Sequence, residues 1–220
     1  MSPKFIQTTD SKQGQAEVAK FLSARAHDGP TSWFLSGGSN IGIEKSILQS
    51  LNPQLRDEIK LILSDERLVP AGDGNSNFTS LKKAGITNPS FQDILILKNE
   101  KLIADAYEQQ IESVLSSTFT IAQLGIGADG HILGVLPGSE AATSNAVIEV
   151  YEGSDFKRIT PTLETMKRFD KIFIFCFGAN KREALKRLLA RAESQEDLPS
   201  SALYLCRDVT IYSDQIGGTE

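Results

Sequence analysis

The heptapeptide Gly125-Ile126-Gly127-Ala128-Asp129-Gly130-His131 sets a carboxylate two residues from one of the chain's 2 histidines. Histidine is the side chain best suited to general-base work near neutral pH. A carboxylate at that spacing can orient or polarise the ring. The heptapeptide therefore suggests proton transfer, against the plainer reading of a hydrogen-bonded structural histidine. His27, in Ala26-His27-Asp28-Gly29-Pro30, reads instead as a solvated helix end.

Other groups carry comparable potential. Ser36-Gly37-Gly38-Ser39 combines two glycines, which admit a ligand close to the backbone, with two hydroxyls. Ahead of a helix, such a loop is a phosphate cradle; the plain alternative is a tight strand-to-helix turn. In Asp65-Glu66-Arg67, an extended chain would send the first and third side chains into the same cleft, and the plain alternative is an exposed ion pair. Arg158 and Lys181 are cations at a strand edge and a strand-to-helix turn.

Several chemistries are disfavoured. Gly125 to Gly130 spells G-x-G-x-x-G, the dinucleotide fingerprint. It lies mid-chain, Pro137 stops any long helix after it, and only Glu149 offers a distant acid, so dinucleotide binding is not expected. The chain has no CxxC and no HExxH, and a metal site is not expected either. The 2 cysteines, Cys176 and Cys206, make no disulfide framework, and Cys176 inside an apolar run reads as an inert buried thiol.

With 23 Lys and Arg against 28 Asp and Glu, the formal charge is −5, which argues against a nucleic-acid partner. The 220 residues are 40% hydrophobic and 23% charged, as in ordinary globular proteins. The longest strictly apolar run, Ile172 to Phe177, is far short of the ~20 residues that span a bilayer. The first residues contain no signal-peptide core. The expectation is one domain over 1–220, cytoplasmic, monomeric or weakly homo-oligomeric.

Apolar runs alternate with helical periods, which predicts an α/β fold. Helices are expected at Gly14–Ala26, Ile41–Leu51, Lys101–Leu115 and after Asn180, a candidate cap with Glu183 three residues on. Strands are expected at Ser32–Leu35, Lys60–Leu63, Ile94–Leu97, Phe119–Leu124, Val147–Val150, Lys171–Phe177 and Val209–Tyr212. In open α/β sheets ligands bind beyond the carboxyl ends of the strands. The loops that carry the candidate residues follow those ends.

In order, SGGS at 36–39, SDERLVP at 64–70 with Ser76-Asn77 after it, LGIGADGH at 124–131 with LPGS at 136–139, KRIT at 157–160 and GANKREALKRLL at 178–189 resemble the motifs of 6-phosphogluconolactonases. The resemblance runs from about Trp33 to Leu189. It implies a Rossmann-like, three-layer, mostly parallel sheet flanked by helices, shared with glucosamine-6-phosphate deaminases, ribose-5-phosphate isomerase and CoA transferases. It also implies hydrolysis of 6-phospho-D-glucono-1,5-lactone, a small-molecule sugar-phosphate substrate, and no metal or organic cofactor.

By the same resemblance, His131 is the general base, with Asp129 or Asp65 orienting it or the water. Arg67 would stabilise the oxyanion or the product carboxylate. Ser36, Gly37, Gly38, Ser39, Arg158 and Lys181 would hold the phosphate. The deaminase pattern has tyrosine where this chain has Arg67, and a proton-relay glutamate where it has Leu136. Two departures concern the lactonase pattern itself. Ile132-Leu133-Gly134 stands where Thr-Ala-Ser is usual, and Asn40 follows SGGS where threonine is usual. A deaminase-like isomerase and a non-catalytic sugar-phosphate sensor are the alternative readings.

Overall fold

The computed structural model describes residues 2–216. In chain order the strands are β1 (Lys4–Gln7), β2 (Thr31–Leu35), β3 (Lys60–Leu63), β4 (Glu66–Arg67), β5 (Phe119–Leu124), β6 (Ile148–Glu152), β7 (Lys157–Pro161), β8 (Lys171–Cys176) and β9 (Val209–Ser213). The helices are α1 (Lys12–Asp28), α2 (Ile41–Ser50), α3 (Pro53–Glu58), α4 (Asn77–Lys83), α5 (Glu100–Ser117), α6 (Glu140–Thr143), α7 (Leu163–Met166) and α8 (Arg182–Ala190).

Six strands pair in the order β1-β9-β8-β5-β2-β3, every neighbour parallel. Parallel sheets need cover on both faces, and this one has it. Phe34, Ile62, Ala122, Leu124, Ile172 and Ile174 pack on one side with Tyr107, Ile111 and Val114 of α5 and Leu185 and Leu188 of α8. Trp33, Leu35, Leu61, Ile121, Phe173 and Phe175 pack on the other with Val18 and Leu22 of α1 and Ile47 and Leu48 of α2. The period-two alternation along β2 and β5 thus feeds two cores. The result is the expected three-layer, mostly parallel architecture. No helix among the described residues is long and apolar enough to cross a membrane.

A second, antiparallel sheet, β4-β7-β6, stands beside the carboxyl ends of the first. Most of it was not expected. Two-residue β4 is too short to leave a pattern, and β7 reads as the mixed sequence Lys-Arg-Ile-Thr-Pro. Edge strand β1 is similarly short and only half-buried.

Two expectations need correction. Ile94–Leu97 is a 3-10 helix, not a strand. The Asp93 carboxylate accepts from Leu95 N and starts the turn, and Lys98 in the left-handed region (φ 58°) ends it. Ile94 and Leu95 are buried while Ile96 and Leu97 face solvent. The helix after β8 begins at Arg182, behind a 3-10 turn at Ala179–Lys181. Its cap position is Lys181, with no side-chain cap bond, so Asn180 and Glu183 make no capping box.

Candidate active site

The ends of β2, β3, β5 and β8 deliver four loops to one cleft of about 220 Å³. Its lining includes Ser36, Gly37, Gly38, Ser39, Asp65, Arg67, His131, Arg158 and Lys181. Asp129 does not line it but stands directly behind His131.

The Asp129 carboxylate lies 2.7 Å from His131 Nδ1 and also accepts from His131 N at 3.1 Å. The hydrogen bond from His131 holds the Asp129 carboxyl down at about 2. An Nδ1–H donated to Asp129 leaves Nε2 as the lone-pair nitrogen. The glycines of this loop make room for the packing around the pair. A Cβ on Gly127 would fall 2.1 Å from His131 Nδ1, and one on Gly130 (φ 93°) would fall 2.1 Å from Leu198 Cδ1. The backbone carbonyl of Asp129 accepts from Arg187 Nη1 at 3.1 Å, and Arg187 Nε donates to Glu193 at 2.8 Å.

Asp65, the other candidate partner of the imidazole, makes its own bonds. It accepts from Ser64 Oγ at 3.0 Å and from Asn77 Nδ2 at 3.3 Å. Burial pushes its carboxyl up, against the pull of Arg158, His131 and Arg67. Glu66 points the other way, as period two requires. It accepts from Asn77 N, Phe78 N and Ser76 Oγ, so it caps α4 and makes no surface ion pair.

Arg67 and Arg158 stand directly opposite each other in the β4–β7 register. Like charges facing across a ladder are destabilising, so this pair invites an anion. Lys181 adds a third cation from the β8 loop. Arg67 Nη1 donates to Asn75 O at 3.1 Å, and its guanidinium lies over the Phe156 ring. Arg158 is buried and donates through Nη2 to both oxygens of Asp155, at 2.8 and 2.9 Å. Nε of both arginines has no protein partner.

Beneath the glycine-rich loop lies Glu44, fully buried in the first turn of α2. It accepts from Ser36 N at 2.7 Å and from Ser36 Oγ at 3.2 Å, while its second oxygen has no partner. Burial pushes the carboxyl up to about 8. Asn40 donates to Ser36 Oγ at 3.2 Å. Glu44 and Asp155 were not singled out from the sequence, and Asn77 entered only as part of a motif, with no role given to it. Each acts through a contact distant along the chain or set by a turn.

Within Ile132-Leu133-Gly134, the glycine has a steric basis. A Cβ on Gly134 would meet Thr160 Cβ at 3.0 Å and Asp65 Cβ at 3.1 Å. Gly134 N donates to Thr160 Oγ1 at 3.0 Å, and its carbonyl accepts from Tyr151 Oη at 2.5 Å. Leu133 sits in the left-handed region (φ 55°) and lines the cleft.

A family model described as glucosamine-6-phosphate isomerases/6-phosphogluconolactonase matches residues 10–212. The chain is 27% identical over 193 residues to a 6-phosphogluconolactonase of Rhizobium meliloti, covering 81% of this chain and 80% of that one. Its fold superposes on a 6-phosphogluconolactonase from Leishmania guyanensis with TM-score 0.79 at 21% identity, over 100% of both chains. A monomeric glucosamine-6-phosphate deaminase superposes with TM-score 0.76 at 22% identity, over 96% of each.

Proposed function

Because the chain belongs to the glucosamine-6-phosphate isomerase/6-phosphogluconolactonase family, we propose that it hydrolyses 6-phospho-D-glucono-1,5-lactone to 6-phosphogluconate. The observation that carries the reading is the Asp129–His131 pair at the edge of a cleft with three cations. His131 Nε2 takes a proton from water as the water oxygen attacks the lactone carbonyl. It returns that proton to the ring oxygen as the ester bond breaks. Asp129 fixes the tautomer that makes this possible and stabilises the transient imidazolium. Arg67 meets the developing oxyanion.

The phosphate occupies the other end, among Ser36, Gly37, Gly38, Ser39, Arg158 and Lys181. Binding energy from that remote dianion positions the carbonyl. An ester carbonyl is electrophilic enough that the reaction calls for no metal or organic cofactor. We place the enzyme in the cytoplasm, as a monomer or weak homo-oligomer.

The family's deaminase activity is the second reading. Against it, Leu136 offers no proton relay. It packs against the apolar core and does not line the cleft, and its backbone N donates to Tyr151 Oη. The two activities separate in one experiment. Freshly generated lactone, followed against its spontaneous opening, should be consumed faster with protein present. Glucosamine-6-phosphate should release no ammonia. Ammonia without lactone opening would favour the deaminase, and tight phosphosugar binding with neither activity would favour a sensor.

A further inference from the structure

The β6–β7 hairpin turns over the cleft through Gly153-Ser154-Asp155-Phe156, closed by Gly153 N donating to Phe156 O at 2.9 Å. Each of its last two residues touches one of the facing arginines. Phe156 lies against the Arg67 guanidinium, and Asp155 takes both hydrogen bonds of Arg158 Nη2. The turn is built for this contact. A Cβ on Gly153 would fall 2.7 Å from Phe156 O and 3.1 Å from Arg158 Nε, and Phe156 N donates to Asp155 Oδ1 at 2.9 Å. The Arg158 side chain is 8% exposed and that of Asp155 48%, so the carboxylate is the solvent-facing half of the pair. Partial burial of Asp155 works against its charge, but the bonds from Arg158 prevail and hold the carboxyl below its ordinary range. It is therefore a standing negative charge at the rim of a cleft otherwise furnished for an anion.

We propose that Asp155 is a specificity-determining residue, a built-in counter-anion that orients Arg158 and competes with the ligand's phosphate for it. The inference rests on the lactonase reading, which gives it a purpose. The lactone carries only its phosphate charge, whereas the product carries a carboxylate as well. A fixed negative charge weakens binding of both and penalises the more highly charged product more. Asp155 thereby speeds product release at the expense of phosphate affinity.

Asp155→Asn tests this, because an amide oxygen still accepts from Phe156 N and keeps the turn. Calorimetry should show 6-phosphogluconate binding about five- to tenfold tighter to Asp155→Asn than to the unsubstituted protein. Inorganic phosphate should gain less, and KM for the lactone should fall less than Ki for the product. Asp155→Ala, checked for an unchanged melting temperature, should behave alike. Equal or weaker 6-phosphogluconate binding by both folded variants would overturn the proposal alone. Failure of the unsubstituted protein to bind either 6-phosphogluconate or phosphate would remove the lactonase reading and the proposal with it.

Discussion

Glu44→Gln isolates the charge state of one carboxyl beneath the glycine-rich loop. Glu44 is fully buried, with one oxygen bonded to Ser36 and the other unpartnered. Its carboxyl is raised from 4.5 to about 8 in the folded protein, chiefly by burial. Below pH 4.5 both folded and unfolded chains hold the proton, and Glu44 adds no pH dependence. Between 4.5 and about 8 the folded chain keeps a proton that the unfolded chain has lost. Stability therefore falls as pH rises, by about 1.4 kcal/mol per unit. Above about 8 both forms are ionised and the penalty is constant.

The full span amounts to roughly 4–5 kcal/mol as an upper bound, and relaxation around the charge should bring it to roughly 2–4 kcal/mol. Glutamine keeps the acceptor for Ser36 and removes the titration. The stability difference between Glu44→Gln and the unsubstituted protein should be near zero at pH 4.5. It should widen to roughly 2–4 kcal/mol by pH 8, on the order of 5–15 °C in melting temperature for a chain this long. Other titrating groups cancel in the difference, so paired denaturant melts at four or five pH values suffice. A difference that does not change with pH would refute the account of Glu44 as a carboxyl held neutral by burial.

Further expectations follow from the same contacts. Asp129→Asn preserves shape but loses the charge behind His131, so kcat for the lactone should fall at least about tenfold with little change in 6-phosphogluconate affinity; steady-state kinetics and calorimetry check the two halves. Lys181→Ala should weaken 6-phosphogluconate binding by roughly 1.5–3 kcal/mol, the range for a charge-assisted hydrogen bond. Arg158→Ala should cost at least as much by calorimetry, because it also leaves the Asp155 carboxylate unpaired beside the phosphate. Burial pushes the Cys176 and Cys206 thiols up to about 11 and about 12, so neither should react with a thiol reagent at pH 8 until denaturant is added.

Elements whose burial is two-sided were readable from sequence, and elements defined by partners were not. Strand β8 announces itself because a strand covered on both faces must be apolar throughout, as Lys171–Cys176 nearly is. Ile94–Leu97 is equally apolar, yet the Asp93 cap turns it into a helical turn that exposes half its residues. The cleft was legible as a set of strand-end loops carrying Ser36, Asp65, Arg67, His131 and Lys181. Its counter-charges were not. Whether Asp65 or Asp129 meets the imidazole depends on how the loop after β5 folds back, and only Asp129 lies within hydrogen-bond distance. Asp155 is invisible without the register that sets Arg67 opposite Arg158 and the turn that follows Gly153.

The central claim is that His131, held by Asp129, moves the proton in lactone opening. The most direct measurement is turnover of freshly generated 6-phospho-D-glucono-1,5-lactone by the unsubstituted protein and by His131→Ala, each corrected for spontaneous opening. 6-Phosphogluconate binding should be measured on the same samples. The account predicts catalysis well above the spontaneous rate, a fall of at least ~10²-fold in kcat on substitution, and product affinity retained. Turnover by folded His131→Ala near that of the unsubstituted protein would contradict it.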